Sequence, residues 1–219
     1  MHIGLIIPSS NTVMEEELSD YVIVHSTRIS LQNVDEISLK KMNEELTKAL
    51  TLISDCHPDA IVYGCTSGSF IENVEEILKK SLIPAVTTSR AVISALQTLG
   101  AKTVSVATPY IDEINKREKA FFESKGFTVK DIKGLGLLNN LEIGRQEPEA
   151  AYNLAKSLKM ADAIFISCTN FKTFDAIYEL EDELDIPAIS SNSASLWSAL
   201  KLAHKKEKIY LGRLLEEYL

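Results

Sequence analysis

The sequence predicts an α/β protein of two similar Rossmann-like halves. Each half has a parallel four-stranded sheet, the two are related by a pseudo-two-fold axis, and the active site lies in the cleft between them. Two observations carry this prediction. Short apolar runs alternate with helix-length segments along the chain, the pattern of parallel strands joined by crossover helices. Three motifs also recur at one offset of 103 residues: Asp59-Ala60-Ile61 with Asp162-Ala163-Ile164, Cys65-Thr66 with Cys168-Thr169, and Ile83-Pro84-Ala85 with Ile186-Pro187-Ala188. Three separate motifs at a single offset are the mark of a duplicated unit. Pro8 and Pro109 fit the same scheme with a small shift. The first half is expected over 1–98 and the second over 99–204. The tail from about 205 to 219 reads as an amphipathic helix that crosses back onto the first half.

Each element has a local reason. Ile3 to Ile7 is an apolar run closed by Pro8, followed by Ser9-Ser10-Asn11-Thr12 and a helix over Val13 to Asp20. Tyr21 to Ser26 reads as the second strand, Arg28 to Asn33 as a polar loop, and Glu36 to Ser54 as one helix. Pro58 precedes the strand that ends at Tyr63, and a helix over Ile71 to Lys80 follows the Cys65 turn. Ile83 to Val86 is a short strand, with Thr87-Thr88-Ser89 capping a helix to Leu99. After Gly100 the pattern restarts: a strand over Thr103 to Ala107, the Thr108-Pro109-Tyr110 turn, a helix to Lys125, and a strand over Phe127 to Ile132. A glycine-containing loop spans Lys133 to Gly144, and a helix runs from Pro148 to Met160. The strand before Cys168, a helix over Phe174 to Leu184, a strand over Ile186 to Ile189 and the Ser190-Ser191-Asn192 cap complete the second half.

Composition excludes several classes. At 45% hydrophobic and 25% charged residues the chain is neither collagen-like, disordered nor disulfide-dense. A net charge of -8 without a basic stripe argues against a nucleic-acid partner. No apolar run approaches the ~20 residues of a membrane span. The start, Met1-His2-Ile3-Gly4, enters a strand without a basic leader, so a cytoplasmic location is expected, with Cys56, Cys65 and Cys168 reduced. The four histidines are scattered without zinc-type spacing, and neither GxxxxGK nor GxGxxG occurs, so no metal and no cofactor is expected.

The chemistry points to the two cysteines. Each follows a buried strand, at the carboxyl end where open α/β sheets bind ligands. Each is followed by small polar residues that read as a helix start, so helix N–H groups are expected to favour thiolate over thiol. Free cysteine is often just a small buried hydrophobe, and Cys56, before a strand and without a counterpart, is left as structural. The matched pair is not. Around the pair, Thr66, Ser67, Thr169 and Asn170 offer hydroxyl, amide and backbone donors suited to developing negative charge. Pro8 and Asn11 follow the first strand; the Asn11 amide suits a carboxylate, or equally a helix cap. Tyr110 could hold an anion or simply line the cleft, and Asn140 could bind substrate or be a loop residue.

Five stretches resemble a known family: Gly4 to Thr12, Gly64-Cys65-Thr66-Ser67-Gly68, Thr108-Pro109-Tyr110, Asn140-Leu141-Glu142-Ile143-Gly144-Arg145 and Ser167-Cys168-Thr169-Asn170. They are similar to the aspartate/glutamate racemase superfamily. Within it they are most similar to the maleate cis-trans isomerase branch, which also holds arylmalonate decarboxylases. The resemblance implies a cofactor-independent isomerase acting on a small dicarboxylate. Cys65 would add as thiolate to the double bond of maleate, and the charge would pass to an enediolate held by Asn11, Tyr110, Asn140 and backbone N–H groups. Rotation about the new single bond and loss of the thiolate would give fumarate, with Cys168 as acid/base partner. The same thiols fit a two-base racemase of aspartate, glutamate or a hydantoin. Decarboxylation fits less well, because the resembling decarboxylases keep only the second cysteine. A non-catalytic anion-binding protein gives no reason for two thiols. The expected partners are the small substrate and further copies of the chain, as a dimer or tetramer.

Overall fold

The computed structural model describes residues 1–71, 73–206 and 208–219. The first half runs β1 (His2–Pro8), α1 (Met14–Ser19), β2 (Ile23–Ile29), α2 (Glu36–Glu44), α3 (Leu46–Ser54), β3 (Ala60–Tyr63), α4 (Val74–Leu78), β4 (Ala85–Thr87) and α5 (Thr88–Thr98). The second runs β5 (Thr103–Tyr110), α6 (Asp112–Ser124), β6 (Thr128–Leu137), α7 (Asn140–Gly144), α8 (Pro148–Lys156), β7 (Ala163–Ile166), α9 (Phe174–Leu184), β8 (Ala188–Ser190) and α10 (Ser191–Leu202), followed by α11 (Arg213–Glu217). The two sheets are four-stranded and parallel, ordered β2-β1-β3-β4 and β6-β5-β7-β8. The repeated order is the duplication expressed in three dimensions.

The central strands are buried on both faces, so their sequences are continuous apolar runs. Ile3, Leu5, Ile6 and Ile7 in β1, and all of β3 and β7, are shut away from solvent. In register, Ile3 faces Ala60 and Ile6 faces Tyr63, while Val104 faces Ala163 and Ala107 faces Ile166. These pairings bring the carboxyl ends of β1 and β3 side by side, and likewise those of β5 and β7. Each pair lies where the strand order changes direction, the crevice in which such sheets bind ligands.

Several boundaries differ from the sequence reading. β2 continues through Thr27, Arg28 and Ile29, which pair with Ile6, Ile7 and Pro8. An edge strand tolerates such polar residues because one side meets solvent, and Arg28 uses the position to donate to the Asn11 carbonyl at 2.7 Å. β6, the other edge strand, likewise runs on to Leu137, inside the stretch read as a loop. The helix expected over Glu36 to Ser54 breaks at Glu45, which caps the end of α2 and the start of α3. The break lets α3 pack on β1 and β2 while α2 turns toward the Cys65 loop. β5 includes Thr108, Pro109 and Tyr110 rather than ending before them.

The tail contributes only α11, and it packs beside α10 and α9. Trp197 Nε1 donates to the Tyr218 carbonyl at 3.1 Å, and Arg213 pairs with Asp185 at 2.7 Å. The return to the first half that we expect of the tail is made by α10, which packs on α5, β3 and β4. Thr88 and Ser195 hydroxyls meet at 3.0 Å in that helix contact. Among the described residues no helix is long and apolar enough to cross a membrane.

Candidate active site

The site grows from the two turns that carry the cysteines. Cys65 follows β3 and is 4% exposed; Cys168 follows β7 and is 5% exposed. The residues beside them are tied across the two halves. Thr66 and Ser191 hydroxyls lie 2.8 Å apart, and the Ser191 oxygen accepts the Cys168 N–H at 3.0 Å. In the other direction, the Thr169 hydroxyl donates to the Gly64 carbonyl at 2.9 Å. The turns therefore grip each other from both sides, beside the two buried thiols. Electrostatics agree: charge on Cys65 raises the Cys168 thiol, and the Tyr110 phenol feels both sulfurs.

The remaining predicted residues gather at the same seam. Asn11 is buried, its Oδ1 accepting the Val13 and Met14 N–H groups at 3.1 and 3.0 Å while its Nδ2 donates to the Thr169 hydroxyl at 3.1 Å. It is thus a cap and a bridge together. Pro8 ends β1 and accepts the Asn11 N–H at 3.0 Å. Asn140 opens α7; its side chain donates to Ser10 Oγ at 2.8 Å and its carbonyl accepts from Asn170 Nδ2 at 2.6 Å. Asn170 Oδ1 in turn accepts the Thr12 N–H at 2.7 Å. Tyr110 ends β5, is 1% exposed and stands beside Cys168. Ser67 Oγ lies 3.8 Å from Cys65 Sγ. Cys56 is exposed and away from the seam.

One expectation needs correction. We expect both thiols at helix starts and therefore inclined to ionise. Burial does the opposite, pushing Cys65 up to about 11 and Cys168 up to about 12. Cys65 is followed by a single 3-10 turn, Ser67–Phe70, rather than an α-helix, and α9 does not begin until Phe174. The helix dipole fades within a turn, so neither sulfur gains much from it. The groups that oppose burial are local: the Gly68 N–H at 3.3 Å and Ser67 for Cys65, the Asn170 N–H at 3.4 Å and Tyr110 for Cys168.

Sequence reasoning missed the supports behind this layer. The Tyr63 hydroxyl donates to Asn43, whose Nδ2 donates to the Gly68 carbonyl at 3.1 Å, bracing the Cys65 turn from behind. Glu17 of α1 accepts the Thr173 and Phe174 N–H groups at 2.5 and 3.0 Å and Asn192 Nδ2 at 2.6 Å. Asn192 also donates to the Thr169 carbonyl at 3.1 Å. Burial raises Glu17 to about 7 against those donors. Glu118 of α6 is fully buried and accepts the Ser167 hydroxyl at 2.6 Å. Its signal was present: Ile114, Glu118 and Phe122 share one helical face, so a charge sits on an apolar stripe.

Two duplicated parallel α/β units, closing on a pair of buried cysteines ringed by amide and hydroxyl groups, define a class of two-lobed, two-thiol α/β proteins. The arylmalonate decarboxylase family profile matches residues 3–215, and the chain belongs to that family. It is 29% identical to a maleate isomerase from Geobacillus stearothermophilus, over 93% of this chain and 92% of that protein. Its fold is similar to that of the Nocardia farcinica maleate cis-trans isomerase bound to Tris. There the TM-score is 0.93 at 27% identity, covering 99% of this chain and 98% of the other. A cysteine-to-serine mutant of the same Nocardia enzyme with a covalently bound succinylcysteine intermediate also matches, with a TM-score of 0.93 at 26% identity, covering 100% and 99% of the two chains.

Proposed function

We propose that this protein is a cofactor-independent maleate cis-trans isomerase in which Cys65 is the nucleophile and Cys168 its acid/base partner. The observation that carries the reading is the cross-tied pair of turns, Thr66 to Ser191 and Thr169 to Gly64, which supports both thiols acting on one substrate. The succinylcysteine in the related Nocardia enzyme is the adduct that such an arrangement would form with maleate.

The steps follow from the residues. The Cys65 thiol first releases its proton to solvent, and the thiolate sulfur then bonds to one olefinic carbon while the π electrons pass to the carboxylate conjugated with the other carbon. The resulting enediolate is an oxyanion, which preorganised N–H and O–H donors stabilise without reorganisation. Asn11, Tyr110 and Asn140 are assigned to that task, with Thr66, Ser67, Thr169 and Asn170 shaping the turns. Cys168, pushed up by burial and so carrying its proton, donates to the carbon that gained the charge and later takes the proton back. Between those events the former double bond is single and rotates. Expulsion of the Cys65 thiolate restores the double bond as fumarate.

The reading includes a homo-oligomer, testable by light scattering, and a cytoplasmic setting, supported by three cysteines that form no disulfide. The central experiment incubates the purified chain with maleate and follows fumarate by absorbance or NMR. Turnover is expected in the wild type, with a loss of at least ~10³-fold in Cys65→Ala. Full activity in Cys65→Ala would remove the mechanism. Exchange of solvent deuterium into aspartate or glutamate, without fumarate formation, would favour the racemase instead.

A further inference from the structure

Glu118 is the buried group that the reaction above leaves unused. Its side chain is 0% exposed, Oε1 accepts the Ser167 hydroxyl at 2.6 Å, and Oε2 has no hydrogen-bond partner. Ser167 is the residue before Cys168, so this carboxyl is one hydrogen bond from the turn that carries the second thiol. Glu17 lies at the equivalent place in the first half, since Glu17 and Glu118 share the offset that relates Pro8 to Pro109. The two are not equally provided for: Glu17 accepts from two backbone N–H groups and an amide, Glu118 from one hydroxyl.

A carboxylate with one donor and no cation is costly to bury. Among the described residues no cation reaches Glu118. On its own helix Arg117 pairs with Glu36 and Lys119 with Glu123, and on β6 Lys133 pairs with Asp131. The 3-10 turn Ser67–Phe70 and strand β7, packed nearby, contain no charged residue. The titratable groups whose ionisation it affects are Tyr110 at the end of β5 and Cys168 after β7.

We propose that Glu118 is a positioning residue that works as the uncharged acid: through Ser167 it fixes the Cys168 turn, and its neutrality keeps a negative charge away from Tyr110 and Cys168 while a dianionic substrate binds there. Burial supports this, raising Glu118 to about 8. Once ionised, it opposes both the substrate charge and the enediolate. Above about pH 8 the rate is therefore held back by a group that never touches the substrate.

The inference rests on the isomerase reading for the dianionic substrate and for its kinetic test. That test compares kcat/KM for maleate in wild type and Glu118→Gln between about pH 6 and about pH 10. Glutamine keeps an acceptor for Ser167 and cannot ionise. The variant should stay within about threefold of wild type at neutral pH, and the ratio of variant to wild-type rate should rise at least about threefold as pH passes through about 8. A variant-to-wild-type ratio that does not change with pH, or a loss beyond about 100-fold at neutral pH, would overturn the proposal.

A second arm needs no turnover: the iodoacetamide labelling rate of Cys168, read by peptide mass spectrometry. The two proteins should label equally at about pH 6.5, and Glu118→Gln about threefold faster or more at about pH 9. A ratio that is the same at both pH values indicates mere loosening and overturns the proposal. If the variant does not fold, carboxyl carbon NMR of the wild type decides, since a Glu118 already ionised at about pH 6 refutes it. A wild type inactive on maleate would sink the isomerase reading and leave the labelling result standing.

Discussion

The Cys65 and Cys168 turns occupy equivalent places in two sheets of the same strand order, and the residues around them have diverged. Gly64 corresponds to Ser167, Ser67 to Asn170 and Gly68 to Phe171, while Thr66 and Thr169 are kept. Both kept threonines reach across to the other half, and so does the diverged Asn170. The diverged positions give each thiol its own environment. Cys65 receives a backbone N–H from a glycine so close that a Cβ there would stand 3.0 Å from the sulfur and 2.4 Å from the Tyr63 hydroxyl. Cys168 instead sits at φ 95, in the left-handed region, between Ser191, Tyr110 and the Glu118–Ser167 pair. Duplication supplied two buried thiols, and divergence left one on an unstrained turn held by a glycine N–H and the other on a constrained turn at positive φ.

The most severe way to break this division of labour is Cys168→Ala. If Cys168 only moves a proton, turnover should fall by roughly 10²–10⁴-fold, the usual worth of a positioned acid or base. The Cys65 adduct should still form and persist, visible as added mass on the intact protein after mixing with maleate. Retention of full turnover would show that the second thiol is structural and that the two turns do not share the reaction.

A smaller effect is expected from Gly68→Ala, which makes the first turn crowded. The new methyl meets the Tyr63 hydroxyl and Met42 Cε at 2.4 and 2.8 Å as well as the sulfur. Overpacking of this kind costs about 1–3 kcal/mol. Because Tyr63 and Asn43 brace the turn, part of that cost should fall on the sulfur's position, lowering kcat/KM roughly 10- to 100-fold. A variant equal to wild type in both activity and unfolding midpoint would mean that the turn yields freely and that its tight packing has no bearing on catalysis.

How much of this was legible beforehand depends on where the partners lie in the chain. β1, β3 and β7 were readable because strands buried on both faces must be apolar throughout, and a free-cysteine pair at one repeat offset stands out in any composition. The edge strands β2 and β6 were read too short, since a strand with one wet side can end in Thr27-Arg28 or Lys133-Gly134 and look like a loop. The protonation state was misread for a definite reason. The helix-start argument is local, whereas the burial that raises both thiols is tertiary, made where the Thr66 turn meets Ser191 and the Thr169 turn meets Gly64. Glu118 lies 49 residues from Ser167, and only its place on the apolar stripe of α6 hinted at a buried role.

The subtlest difference between the turns is in the backbone, and a pair of substitutions reads it directly. A side chain at φ 95 costs about 1 kcal/mol or more relative to glycine, which adopts that conformation freely. Cys65 is not among the residues with positive φ, so glycine there only loosens the unfolded chain. Cys168→Gly should therefore be more stable than Cys168→Ala by about 1 kcal/mol, whereas Cys65→Gly should be less stable than Cys65→Ala by about 0.5–1 kcal/mol. Comparing glycine with alanine at each site removes the lost sulfur from the difference, and denaturant midpoints at equal slope measure it. The sign reversal is the informative result: two positions matched in sequence, in strand end and in burial would answer the same substitution in opposite directions. If both sites prefer alanine, the Cys168 turn is not strained in solution. Its constraint would then come from the hydrogen bonds of Ser191 and Asn170 alone.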